Sequence, residues 1–204
     1  MIRLLAILAY LAQPVFAQSY PDLFDVRAVA DDDILNVRQI SSADASIIST
    51  LAPKATEIEV LTLSGDGRWG MIGLAEGNGW VSMTYMARRP STDVLPITCF
   101  GTEPFWTLSI APQTATFDAL GDALRNLTVT DIAEIPNETF VTFTQGLTPI
   151  DRIANIRRDS CNDGMSDREF GFQTSISSAG PVGGGALRGC CTLQIENSVL
   201  EQGN

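Results

Sequence analysis

The sequence predicts an all-β protein built from two small barrels. Three observations lead there. Apolar residues recur in short runs that alternate with polar ones or are rich in β-branched types, and no segment shows a long 3.6-residue period. Clusters of Gly, Asn and Asp punctuate these runs at turn spacing. A charged and then Pro/Ser-containing stretch, RRPSTDVLP (88–96), divides the chain into two parts, and only the second contains cysteine.

The first residues, MIRLLAILAYLAQPVFAQ, place Arg3 ahead of an apolar run at 4–11, then Pro14 and the Val15-Phe16-Ala17 triplet. This pattern predicts a signal peptide, 1–17, cleaved before Gln18. The run falls short of the roughly 20 residues that span a bilayer, so the mature chain is expected to carry no membrane span. With no cysteine near the cleavage site, a lipid anchor is not expected. A periplasmic or secreted location follows.

Residues 18–90 form the first predicted domain. Its candidate strands are LFDVRAVA, LNVRQI, EIEVLTLS, WGMIGLA and GWVSMTYM, separated by turns at 31–33, 64–67 and 76–79. Five short strands in some seventy residues suit a small closed or half-closed barrel. Trp69 and Trp80 stand at the starts of consecutive strands, where packing in a core or rim is the ordinary role of a large ring. The functional alternative is a ligand groove of Trp69, Trp80 and Tyr85, with Arg38 supplying a cation for a carboxylate.

A linker at 91–96 and a second domain at 97–195 follow, with a tail at 196–204. The second domain's candidate strands are FWTLSIAP, TATFDAL, NLTVTDIAEI, TFVTFTQ, DRIANIRRDS, FGFQTSIS and ALRGCCTL, which favour an antiparallel barrel or sandwich. In GTEPFW (101–106), Gly101 is expected to bend the chain into a strand that carries Phe105 and Trp106 on opposite faces. Glu103 is a candidate ligand carboxylate or a buried partner for Arg188. GPVGGGALRG (180–189) reads as an exposed hairpin loop, not a phosphate loop.

Composition excludes several chemistries. The chain has no histidine, so Ser-His-Asp and Cys-His catalysis and the commonest zinc sites are ruled out. No cofactor is expected. A net charge of −11 argues against nucleic acid as a partner. The four cysteines, Cys99, Cys161, Cys190 and Cys191, read as disulfides in an oxidising compartment, and no C-x-x-C is present for redox work. Cys190 and Cys191 point to opposite faces of a strand and are not expected to pair with each other, which leaves two pairings open.

Two resemblances add to this reading. DDDILNVRQI, then Ile48 and Leu51, then Trp69, Gly79-Trp80-Val81 and Tyr85-Met86 resemble a bacterial SH3 domain over nearly the whole first segment. The resemblance implies an SH3-like barrel that targets cell-wall peptides or another envelope component. CFGTEPFWTLSI, CNDGMSDREFGF and LRGCC, in that order, are similar to an uncharacterised bacterial envelope family of predicted membrane proteins and lipoproteins, which reads serine where this chain has Asn162. By analogy its fold is a small lipocalin-like or META-like barrel. The motif order sets CNDGMSD beside RGCC, which favours Cys161–Cys190 and with it Cys99–Cys191.

The expected function is that of a non-catalytic binding or adaptor protein of the envelope, with peptidoglycan or an envelope protein as partner, and a monomer. One alternative is an inhibitor of a wall-degrading enzyme such as lysozyme, which an acidic surface would suit. A hydrolase using Glu103, Asp163, Asp167 and Glu169 is another. For SCNDGMSD (160–167) the structural reading has Asn162 and Asp163 accepting backbone amides. Gly164 then takes a positive φ, Met165 packs inward, and Ser166-Asp167 caps a turn before Phe170. The spacing of Asp163 and Asp167 fits no calcium loop.

Overall fold

The structure, a computed structural model of the 204-residue chain, describes residues 20–90, 94–120, 123–145, 148–178 and 186–193. The predicted signal segment 1–17 and the tail 196–204 lie outside the described residues, as does most of the glycine-rich loop ahead of Leu187. The chain is nearly all β, and its strands fall into two antiparallel systems.

The first system contains β1 (Asp22–Val26), β2 (Leu35–Arg38), β3 (Ile47–Leu51), β4 (Ile58–Leu63), β5 (Trp69–Gly73), β6 (Asn78–Ser82) and β7 (Met86–Arg88), with a 3-10 turn at Met83–Tyr85. They form one sheet in the order β3-β2-β6-β5-β4-β1-β7. All seven strands contribute to one cluster, among them Phe24, Val37, Leu51, Val60, Val81 and Met86. A sheet brings seven strands to a common core only by coiling around it, which the right-handed strand twist permits. The predicted turn at 64–67 forms as expected: Asp66 accepts the Ser64 hydroxyl and the Arg68 amide, which hold its carboxyl below the usual range. β3 was not expected as a strand. Its first two residues, Ile47 and Ile48, are exposed, so the alternation that marks a half-buried strand is missing.

The second system is a closed eight-stranded barrel. Its strands are β8 (Ile97–Thr102), β9 (Phe105–Ile110), β10 (Thr114–Ala119), β11 (Arg125–Ile135), β12 (Glu138–Gln145), β13 (Thr148–Asn162), β14 (Glu169–Ser178) and β15 (Leu187–Thr192). Each pairs with the next, and β15 returns to β8 to close the cylinder. Closure removes the exposed edges, and eight strands leave an interior that side chains fill. Trp106, Leu108, Phe117, Phe143, Ile156 and Phe172 are among those that fill it. The bend expected at Gly101 is not there: β8 runs through it to Thr102, and the chain turns at Glu103 and Pro104 to start β9.

The two systems dock against each other. Val94, assigned to the linker by sequence, is buried in the barrel's own core, and Leu23 of β1 packs against that core too. Asn78 at the start of β6 accepts from the Glu169 amide at 2.8 Å and donates to the Glu169 carbonyl at 3.3 Å. Arg158 donates to the Pro21 carbonyl at 2.5 Å, and a Cβ added at Gly171 would come within 1.8 Å of the Pro21 ring.

At the centre of this junction is Glu59 of β4, only 2% exposed. Its Oε1 accepts from the Leu193 amide at 2.9 Å and its Oε2 from the Thr192 hydroxyl at 2.5 Å, at the end of β15, where Thr192 is the last residue paired with β8 and Leu193 follows it. Burial pushes the Glu59 carboxyl up from its ordinary range. The two hydrogen bonds and the nearby Arg168 and Arg158 guanidinium groups pull the other way.

Candidate functional site

The segment SCNDGMSD links β13 to β14. The Asn162 Oδ1 accepts from the Gly164 amide at 2.8 Å, and Asp163 Oδ1 accepts from the amides of Met165 and Ser166 at 2.9 and 3.2 Å. Gly164 has φ of 73°, a left-handed conformation open to glycine at no steric cost. Ser166 Oγ accepts from the Arg168 amide just before β14 begins. Met165 departs from expectation: it is 66% exposed, because the turn projects it away from the barrel wall.

Two disulfides pin this loop's surroundings. Cys161 is bonded to Cys190, and Cys99 to Cys191. Cys99 and Cys191 face each other in register on β8 and β15 inside the barrel, whereas Cys190 points outward to meet Cys161. The opposed faces of adjacent residues thus send the vicinal pair to two different partners.

The three sequence motifs meet here. Trp106 is buried, with its indole against β8 and β15 where both strands carry glycine: an added Cβ would lie 2.3 Å from the indole Nε1 at Gly101 and 2.9 Å from Cζ2 at Gly189. The Gly189 Cβ would also fall 1.9 Å from the Phe100 carbonyl oxygen. These two glycines therefore let the ring lie flat on the wall between paired strands. Phe105, the neighbour of Trp106, takes the opposite, outward face and is 50% exposed.

On the outer wall above this packing is a cleft of about 510 Å³. Residues 100–102, 161–163 and 188–190 supply most of its lining, one triplet from each motif, and β13 and β14 supply the rest. The Thr102 hydroxyl donates to the Asp163 carbonyl at 3.1 Å and ties the loop to β8. Arg157 and Arg188 both line the cleft. Sequence reading found the loop and Arg188 but gave Arg157 no role, since an arginine in DRIANIRRDS carries no local mark of the strands beside it.

The first sheet presents a second surface. In β2, β5 and β6 the core-facing residues are Val37, Ile72 and Val81, so Arg38, Trp69, Met71 and Trp80 face outward, all half-buried. Register aligns them: Ile47 lies opposite Arg38, Arg38 opposite Trp80, and Trp80 opposite Met71. Trp69 is diagonal to Trp80, within reach for aromatic rings. The Arg38 guanidinium also donates to the Ala45 carbonyl at 2.7 Å, which fixes the side chain rather than leaving it merely solvated. Tyr85, at 39% exposure, lies in the 3-10 turn past the end of β6 and is not part of this row.

The four carboxylates considered for hydrolysis have separate engagements. Asp163 holds two loop amides, Glu169 accepts from the Ser160 hydroxyl, and Glu103 and Asp167 are exposed. Glu103 and Arg188 are both exposed, so the expected buried pairing does not form. Among the described residues no group of three or more His, Cys, Asp or Glu is placed to hold a metal ion, and no helix is long and apolar enough to cross a membrane. No family model, curated protein or solved structure matches the chain.

Proposed function

We propose that this protein is an exported, non-catalytic binding protein of the bacterial envelope, whose N-terminal SH3-like sheet recognises a cell-wall component. The row Ile47–Arg38–Trp80–Met71, with Trp69 diagonal to it, carries the reading. It joins a cation fixed by a backbone carbonyl to two indoles and two aliphatic side chains on one outward face. Flat aromatic and aliphatic surface beside one guanidinium suits a peptide or amino sugar that bears a carboxylate. Two disulfides support export, because such bonds persist in oxidising compartments. The engagement of Asp163 with backbone amides supports a structural rather than catalytic role for the loop.

The test is co-sedimentation of the full mature chain with purified insoluble peptidoglycan. The wild type is expected in the pellet, and Trp80→Ala and Arg38→Gln in the supernatant with unchanged circular dichroism. Arg38→Gln serves as the second variant because Trp80 is half-buried. A wild type that stays in the supernatant, or variants that pellet equally, would overturn the reading.

A further inference from the structure

We propose that the cleft on the barrel's outer wall binds a small carboxylate, gripped by Arg188 and Arg157 over a floor of Ser175 and Gln173. This surface belongs to the barrel, and the inference does not depend on the first sheet binding the wall.

Register places the four residues. Arg157 is opposite Gln173, Gln173 is opposite Cys190, and Arg188 is opposite Ser175. All four side chains stand on the outer face, since Ile156, Phe172, Ile176 and Cys191 on the same strands take the inner one. Strands ~4.8 Å apart with ~3.4 Å per residue set the two arginine Cα atoms about 12 Å from each other. Two arginine side chains easily converge on one anion across that span. The Arg157 Nη2 donates to Gln173 Oε1 at 2.9 Å and lies 3.4 Å from Asp159 Oδ2, which orients the guanidinium while leaving its Nε and Nη1 without a described partner. Arg188 is exposed, and its guanidinium makes no hydrogen bond or ion pair with a described residue.

The chemistry of the surroundings selects the ligand class. Both arginines offer planar forks suited to a carboxylate or a phosphate. A phosphate dianion generally draws on free backbone amides, and in this wall the paired strands already use theirs in the ladder. A net charge of −11 repels multiply charged anions at long range and least disfavours a single charge. Asp163, the acid in the lining, has one carboxylate oxygen occupied by two amides of its own loop. Phe100 forms the apolar wall against which the body of the ligand would rest. The cleft volume, about 510 Å³, lies in the range of small-ligand sites.

The experiment is an NMR titration of the full mature chain with N-acetyl-dialanine, its carboxamide and inorganic phosphate in separate arms. The expected result is saturable shifts of the Ser175, Arg188 and Thr102 amides with the free carboxylate, weakened about tenfold or more in the carboxamide. Arg188→Gln and Arg157→Gln should each weaken binding by a similar factor, while Lys54→Gln, the same charge change in the turn between β3 and β4, leaves it unaltered. The proposal is overturned by any of four results: no saturable shift at millimolar carboxylate, equal binding of the carboxamide, tighter binding of phosphate at the same amides, or a Lys54→Gln loss equal to that of Arg188→Gln.

Discussion

Replacing Glu59 should reveal how firmly the two β-systems are joined. Its carboxylate accepts the Leu193 amide and the Thr192 hydroxyl in a site nearly closed to water. In Glu59→Ala the Leu193 amide loses its acceptor while buried, which costs about 1–3 kcal/mol. Loss of the charge-assisted bond to Thr192 and of the side-chain packing adds about 1–2 kcal/mol more, whereas relief of the carboxylate's own desolvation offsets part. The net expectation is about 2–4 kcal/mol. Glu59→Gln keeps an acceptor for Leu193 and donates to the Thr192 oxygen, so it should stay within about 1 kcal/mol of wild type. The pH dependence has a definite sign. A carboxyl whose folded pKa is raised binds its proton more tightly in the folded state, so stability falls as pH rises from about 4.5, the ordinary value, through the raised one, and then levels off. Glu59→Gln removes that slope. Urea unfolding across this pH range, followed by tryptophan fluorescence, measures all of these. An alanine variant as stable as wild type, with the same pH profile, would refute the assignment of the junction to Glu59.

Three further outcomes follow from the barrel. Replacing Cys161 and Cys190 together by serine should cost about 3–4 kcal/mol in denaturant unfolding, from the loop they close over a sequence separation of 29; non-reducing peptide mapping should recover this pair and Cys99–Cys191, and a different pairing contradicts the fold. Asp163→Ala should lower the melting temperature by about 2–4 °C for each kcal/mol lost as two loop amides lose their acceptor, while a chelator and Met165→Ala leave it in place. Gly189→Ala should be the more damaging change, at about 2 kcal/mol or more in the same unfolding assay, because its Cβ would fall 1.9 Å from the Phe100 oxygen and press on Trp106, and a neutral result contradicts the close contact of β15 with β8.

Much of the fold was legible because the strands obey local rules. TFVTFTQ alternates Val141 and Phe143 into the barrel, and FGFQTSIS does the same with Phe172 and Ile176. SCNDGMSD announced its turn through residues whose side chains bond their own backbone. Where local rules fail, a distant element has overridden them. Gly101 read as a bend, but it is a strand residue whose missing side chain makes space for Trp106. EIEVLTLS read as a strand, but nothing in it marked Glu59, whose burial and hydrogen-bond partners come from the docked barrel. β3 hid behind exposed isoleucines at the edge of its sheet. Of the sites, the Arg38, Trp69 and Trp80 grouping was visible as spacing along the chain. The pairing of Arg157 with Gln173 and of Arg188 with Ser175 exists only in the register of three strands.

Hydrogen–deuterium exchange of residues 18–204, with and without soluble peptidoglycan fragments, tests wall recognition by the first sheet most directly. Slowed exchange is expected in the peptides covering β2, β5 and β6, where Arg38, Met71, Trp69 and Trp80 share one face, with β10 to β12 of the barrel unchanged. Unchanged exchange in those three strands at saturating fragment, or protection confined to the barrel, would contradict it.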